Sequence, residues 1–344
     1  MSDSSEKVMN PIRFLENLVD EMPNQIREAR KNCSEILLER KFKEIVFFGM
    51  GGSGITGDLM TEYLTREHKI RACSFHDYSG PFWLSKESLA VIFSYSGNTE
   101  EAISCYNFSK KKGSQILILS SDGNLKDIAK RDNVPFVKIE KGLPPRSTVC
   151  LMFFSLLKIL ENSAIIPNQD KEVELIIRII SSRSIKNNGK ELVEKIQGKT
   201  PLIYASPHLK AVAYRWKCQF NENSKRLAFC NYFPELNHNE LEAFSDSHPD
   251  YHVIILSDEN DSASLKRRIE ITKKYITRGS SLTHIMLKGS SFLGKMFYAI
   301  ALGDYTSIYQ AMHDNKNPLP VKFIEEFKKE LSGKDKKDGS LNID

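Results

Sequence analysis

Ile45-Val46-Phe47-Phe48-Gly49-Met50-Gly51-Gly52-Ser53-Gly54 is the stretch on which the rest of the chain turns. Its first four residues form a short, continuous apolar run, the mark of a strand covered on both faces. A glycine-rich loop follows, and then a helix through Leu59, Tyr63 and Leu64. An open α/β sheet places its ligands at this point, after a strand and before a helix. The glycines let the backbone approach an anion, and the helix N-terminus offers unpaired N–H groups and a positive dipole end.

The alternation continues outward. Strands are predicted near Ala72–Phe75, Ala90–Ser94, Gln115–Leu119 and Phe136–Ile139, and an apolar helix over Ser147–Leu160 closes this half. After a link at Pro167–Asp170 and further helical material, strands are predicted at Leu202–Ser206, His252–Ser257 and Thr283–Leu287. Helices are predicted at Leu209–Phe220, Ser262–Arg278 and Phe292–Met312. Pro318 and Pro320 lead into a last helix with Val321, Ile324, Phe327 and Leu331 on one face. Strands alternating with helices imply parallel sheets with right-handed crossovers. The expected fold is therefore α/β, with two doubly wound parallel-sheet domains and helices on both faces. Residues 1–40 read as a helical lead-in, 41–166 and 167–331 as the two domains, and 332–344 as a disordered tail.

The 344 residues suit two domains. A net charge of +5 is spread along the chain, and its densest part, the C-terminal tail, lacks the interleaved aromatics of a nucleic-acid interface. No apolar run nears the ~20 residues that cross a bilayer, and the polar start carries no leader pattern, so a cytoplasmic location is expected. Six scattered cysteines form no C-x-x-C pair and join no histidine cluster. Neither a metal nor a disulfide is expected.

A second loop bears on what the first one binds. The predicted strand ending at Phe93 runs into Ser94-Tyr-Ser96-Gly97-Asn98-Thr99-Glu100-Glu101, a hydroxyl-lined cradle at the start of a helix. Thr99 or Ser96 equally suits a helix cap, with Glu100 and Glu101 complementing the dipole. Gly49, Gly51 and Gly54 also satisfy the dinucleotide fingerprint G-x-G-x-x-G, and Asp77 lies near where a ribose-binding acid belongs. With Ser53 facing it, however, the second loop fits a terminal phosphate monoester better than a buried pyrophosphate. No G-x-x-x-x-G-K-[ST] is present.

Both loops resemble the sugar isomerase (SIS) domain. Gly142-Leu-Pro-Pro-Arg146, Tyr214-Arg-Trp-Lys-Cys-Gln-Phe-Asn-Glu222-Asn and Glu235-Leu-Asn-His238-Asn-Glu240 narrow the resemblance to the bifunctional phosphoglucose/phosphomannose isomerases, over residues 40–330. It implies an aldose–ketose isomerase that interconverts glucose 6-phosphate, and mannose 6-phosphate, with fructose 6-phosphate through a cis-enediolate in glycolysis or gluconeogenesis. Gly52, Ser53, Ser94, Ser96 and Thr99 are then the phosphate-binding set. Such chemistry needs a base, a positive group for the enediolate oxygen and a group that opens the ring.

Glu222 reads as the end of an amphipathic helix, where a half-desolvated carboxylate makes a natural proton shuttle, although helix-end glutamates are commonly just solvated. The resemblance makes it the base. Arg146 follows two stiffening prolines; it is either a surface arginine or a permanent cation for the enediolate. By resemblance, His238 assists ring opening from the partner subunit of a homodimer, and Lys328 on the last helix touches the sugar, with Lys329 adjacent. Leu319 stands where the family usually has a threonine between two prolines, which removes a hydroxyl and bears on the mannose epimer. The alternatives are a non-catalytic SIS module that senses a phosphosugar and a nicotinamide-dependent oxidoreductase using the literal fingerprint. An enzyme that aminates fructose 6-phosphate would be expected to carry a glutaminase-like domain, and none is read here.

Overall fold

A computed structural model of the chain describes residues 10–38, 42–331 and 333. It opens with α1 (Pro11–Asp20), capped by the Asn10 side chain, and α2 (Met22–Asn32). The first sheet follows as β1 (Glu44–Gly49), α3 (Gly51–Glu67), β2 (Ala72–Phe75), β3 (Ser88–Phe93), α4 (Glu100–Lys111), β4 (Gln115–Ser120), α5 (Asn124–Asp132) and β5 (Phe136–Lys138). All five strands are parallel, in the order β2-β1-β3-β4-β5. Three helices lead to the second sheet: α6 (Val149–Asn162), α7 (Asp170–Ile180) and α8 (Arg183–Ile196).

The second sheet is built from β6 (Thr200–Ala205), α9 (Lys210–Gln219), β7 (Phe229–Tyr232), β8 (Tyr251–Asp258), α10 (Ala263–Ile276) and β9 (Ser281–Leu287). It too is parallel, in the order β7-β6-β8-β9. The chain closes with α11 (Phe292–His313) and α12 (Lys322–Leu331). The fold is the expected pair of doubly wound α/β domains.

Burial explains why the apolar runs become central strands. Every residue of β1 and β3 is buried, so neither could have shown an alternating pattern. The apolar helices α6 and α11 lie in one core that reaches both sheets. There the Phe154 and Phe297 rings meet at 4.7 Å, and the Phe153 and Phe297 rings meet edge-on at 5.1 Å. Among the described residues no helix is long and apolar enough to cross a membrane.

Two expectations change. Strand β7 was not anticipated: it is an edge strand with every residue at least partly exposed, so it carries no apolar run. The helix expected to carry Glu222 at its end stops at Gln219 and widens into a π-helical turn, Phe220–Ser224. The expected last helix is present as α12; no residue on it is buried, and Ile324, Phe327 and Leu331 are all exposed. The tail expected to be disordered lies outside the described residues, apart from Gly333.

Candidate functional site

The order of the first sheet opens a crevice at the carboxyl ends of β1 and β3, where neighbouring connections leave in opposite directions. Helices α3 and α4 both begin there. Met50 and Thr99 stand at their N-cap positions, and neither gives a side-chain cap. The reading of Thr99 or Ser96 as a cap is thus corrected. Thr99 Oγ1 accepts instead from Ser94 Oγ at 3.0 Å, and Ser96 Oγ accepts from the Asn98 N–H at 3.2 Å within the loop. Two helix ends therefore present first-turn N–H groups without a side-chain acceptor, which suits an anion.

The two loops touch: Ser53 Oγ accepts from the Tyr95 N–H at 3.0 Å. Ser53 and Ser94 are buried, Thr99 is half-buried and Ser96 is exposed. Gly97 has φ +69°, and a Cβ there would lie 1.7 Å from the Asp122 carbonyl oxygen. The hydroxyl-lined loop therefore holds its shape only with glycine at its bend. A Cβ on Gly52 would lie 2.8 Å from the Arg146 nitrogen, so the missing side chain lets Arg146 abut the first loop.

Arg146 sits in a 3₁₀ turn, Pro145–Ser147, and is only 4% exposed. Its Nε donates to Asn223 Oδ1 at 2.7 Å, its Nη2 to the Pro318 carbonyl at 2.8 Å, and its Nη1 lies 3.4 Å from Glu222 Oε2. Burial draws the guanidinium below its ordinary pKa, while Glu222 and Asp304 oppose that and Arg215 adds to it. Glu222 itself is partly open to solvent, its side chain 26% exposed. The π-helical turn inserts an extra residue at the end of α9, and Glu222 and Asn223 both reach Arg146 from it.

Helix α11 supports this arrangement from below. Asp304, fully buried, accepts from Arg215 Nη2 at 2.6 Å and Gln219 Nε2 at 2.7 Å. Burial raises its carboxyl and Arg215 pulls it back. Arg215 also donates to the Arg146 carbonyl at 3.0 Å, and Asn223 Nδ2 donates to Ser307 Oγ at 2.9 Å. Asp304 had a legible signal, a lone acid in an apolar helix that must find partners. Asn223 lay inside the quoted motif without a role assigned to it.

Lys225 was missed. Its Nζ donates to the Pro320 carbonyl at 2.7 Å and to the Glu222 carbonyl, and burial together with Arg146 lowers its pKa. With Asn221, Glu222 and residues 320–324 it lines a cleft of about 460 Å³.

The structure thus brings Gly52, Ser53, Ser94, Thr99, Arg146 and Glu222 into one connected region, with Ser96 on the rim of the second loop. It does not bring His238 or Lys328 there. His238 ends a 3₁₀ turn beyond β7 and is exposed, with no side-chain hydrogen bond or ion pair among the described residues. Glu240 of the same motif accepts from the Tyr204 hydroxyl at 2.5 Å and braces its own loop. Lys328 is exposed on α12. Among the described residues no three His, Cys, Asp or Glu side chains are grouped to hold a metal ion.

Comparison with known proteins follows the same lines. The profile of the bacterial phospho-glucose isomerase C-terminal SIS domain matches residues 185–331. A bifunctional phosphoglucose/phosphomannose isomerase from Caldicellulosiruptor bescii is 34% identical over 90% of this chain and 97% of its own length. A D-glucosamine-6-phosphate 4-epimerase from Sulfolobus acidocaldarius is 31% identical over 64% of this chain and 71% of its own. Among solved structures, the tagatose-6-phosphate ketose/aldose isomerase of Escherichia coli superposes with a TM-score of 0.66 at 15% identity. That superposition covers 89% of this chain and 94% of the other, and it speaks to the fold alone.

Proposed function

The chain belongs to the family of bifunctional phosphoglucose/phosphomannose isomerases, and from that premise we propose that it interconverts glucose 6-phosphate and mannose 6-phosphate with fructose 6-phosphate. The observation that carries the reading is the meeting, in one crevice, of two uncapped helix N-termini with a buried arginine beside a half-exposed carboxylate.

In this reading the phosphate sits against the backbone of Gly52 and the hydroxyls of Ser53, Ser94, Ser96 and Thr99. Once the sugar ring is open, Glu222 takes the proton from C2 and returns it to C1. The hydroxyl proton passes from O2 to O1, so the aldose becomes a ketose with no net gain or loss. Negative charge on the enediolate oxygen falls beside Arg146, whose place in a dry pocket makes its charge count for more than it would in water. Glucose and mannose differ at C2, and the enediolate erases that difference; one constellation therefore serves both.

Ring opening is assigned to His238 and Lys328. His238 stands exposed beyond an edge strand, consistent with delivery to the site of a second copy, so the working unit is a homodimer. The location is cytoplasmic, and no cofactor takes part. The domain division at residue 167 is part of the same reading.

Glu222→Gln is expected to lower kcat by about 10²–10⁴-fold while sugar phosphate still raises the melting temperature. Full activity in that variant would refute the base assignment. A coupled assay should run glucose 6-phosphate, mannose 6-phosphate and glucosamine 6-phosphate separately. Turnover of glucosamine 6-phosphate alone would move the chain toward the epimerase relative, and binding without turnover would make it a sensor.

A further inference from the structure

We propose that Glu62, on α3 of the first domain, is a positioning residue for Glu222, because it fixes the opposite end of the helix that leads to it. The proposal rests on the reading of Glu222 as the base. Helix α9 begins at Lys210, and the apolar Leu209 in the N-cap position supplies no side-chain cap. An N-terminus left in that state has orphan N–H groups. The acceptor comes from the other domain: Glu62 Oε1 takes the Ala211 N–H at 2.8 Å.

Glu62 is 6% exposed, and its second oxygen has no hydrogen-bond partner among the described residues. A carboxyl kept dry for one bond is expensive, which is the reason to ask what that bond does. Helix α3 begins at the phosphate loop, so a single rigid element runs from the phosphate to the start of α9. One turn beyond Glu62, Arg66 lies 3.3 Å from Asp258 and stacks over the Phe292 ring at 4.4 Å. These contacts dock the same helix on the second domain.

Midway along, α9 is held by Arg215, through Asp304 and the Arg146 carbonyl, and at its far end by Gln219, which donates to Asp304 at 2.7 Å. A helix of ten residues is about 15 Å long. Releasing one end tilts the other, and a displacement of about 1 Å at a catalytic group can cost on the order of 10²-fold in rate. Burial pushes the Glu62 carboxyl up to about 8, against the Ala211 N–H and Lys210, with Asp58 adding to the rise and Arg66 opposing it. Protonated or ionised, it keeps an oxygen for Ala211. A glutamine amide keeps one too.

The test compares Glu62→Leu, Glu62→Ala and Glu62→Gln with the parent on glucose 6-phosphate, under conditions where circular dichroism shows each variant folded. Glu62→Leu is expected to lower kcat by about 10-fold or more with KM within about twofold, because the phosphate loops are untouched. Glu62→Gln is expected to restore kcat. If Glu62→Leu does not fold, Glu62→Ala should still lose kcat, though less, because water can reach the Ala211 N–H from the adjoining cleft of about 740 Å³. Unchanged kcat in the folded Leu or Ala variant, or a Gln variant as impaired as Leu, would overturn the proposal. Glu222→Gln, measured alongside, separates the two readings. If it is inactive while the Glu62 variants match the parent, only the positioning role fails. If it is fully active, the base assignment fails and takes the proposal with it.

Discussion

The carboxyl ends of the two sheets make an informative pair. Both sheets are parallel and doubly wound, and both reverse their connections beside the first strand, between β1 and β3 in one and between β6 and β8 in the other. The first crevice is lined by glycine and hydroxyls and leaves two helix ends uncapped. The second is filled by the protein's own charges. Asp258, at the end of β8, pairs with Lys295 of α11 at 2.5 Å, and Arg66 and His208 each lie 3.3 Å from it. Ser206 Oγ, after β6, donates to Asp261 at 2.5 Å. The shared topology supplies a place for a ligand; residue type at the strand ends decides whether the place stays open. Carboxylates after β8 recruit cations from α3 and α11 and turn the crevice into an interdomain clasp, where hydroxyls after β3 leave room for an anion.

Breaking the clasp should give the largest effect. Lys295 is buried, as is Asp258. Burial alone would raise the Asp258 carboxyl, and the bonds from His208 and Lys295 hold it well below the usual carboxylate range. Lys295→Met removes the closest cation and leaves a buried charge under-compensated, a loss of about 3–5 kcal/mol by urea unfolding. KM for the sugar phosphate should not change. A destabilisation under about 1 kcal/mol would mean that Arg66 and His208 suffice, and that the second crevice is less tightly closed than its geometry implies.

Next comes the pH dependence of the contact between α3 and α9. The Glu62 carboxyl stands at about 8 in the folded chain, against 4.5 for an unperturbed glutamate. The folded state therefore binds the proton more tightly. The stability this contributes is fully present below about 4.5 and is lost as pH rises through about 8. Glu62→Gln cannot ionise, so unfolding free energies of parent and variant should diverge steadily across that window, with the variant gaining. Parallel curves would show that the carboxyl titrates normally.

On the open side the same logic predicts a binding effect without a stability effect. Thr99→Val removes a hydroxyl that holds Ser94 and faces the crevice. KM should rise by about 10- to 100-fold, the worth of a hydrogen bond to a charged group, while stability changes by about 1 kcal/mol. A large stability loss with unchanged KM would reverse the contrast between the crevices and make Thr99 a structural residue.

How much of this was legible in the sequence follows from range. Buried strands such as β1 and β3 announce themselves because their central residues, Ile45–Phe48 and Leu89–Phe93, form unbroken apolar runs. The loops after them are legible because glycine and hydroxyl clusters have few other uses. Edge strand β7 needs no core face on every residue, so Phe229-Cys230-Asn231-Tyr232 gives no pattern. Glu62 reads as one more acid on α3; only the approach of α9, far along the chain, shows what it caps. The π-helical turn at Glu222 is likewise set by Asn223 reaching Arg146 and Ser307, not by local propensity. The roles expected of His238 and Lys328 need groups that one copy does not bring to the site.

The smallest predicted effect concerns the segment that closes the first crevice from the second domain. The Pro318 carbonyl accepts from Arg146 at 2.8 Å, and the Leu319 carbonyl lies 3.5 Å from the same nitrogen. Lys225 ties down Pro320. The backbone is therefore fixed on both sides of Leu319, and a substitution there changes a side chain without moving the arginine. Leu319→Thr adds a hydroxyl between Pro318 and Pro320. If that hydroxyl reads the C2 configuration, the ratio of mannose to glucose turnover should rise by about threefold, the worth of one net hydrogen bond, with the glucose rate little changed. If both rates move together, the segment acts through Arg146, and discrimination between the epimers lies elsewhere in the crevice.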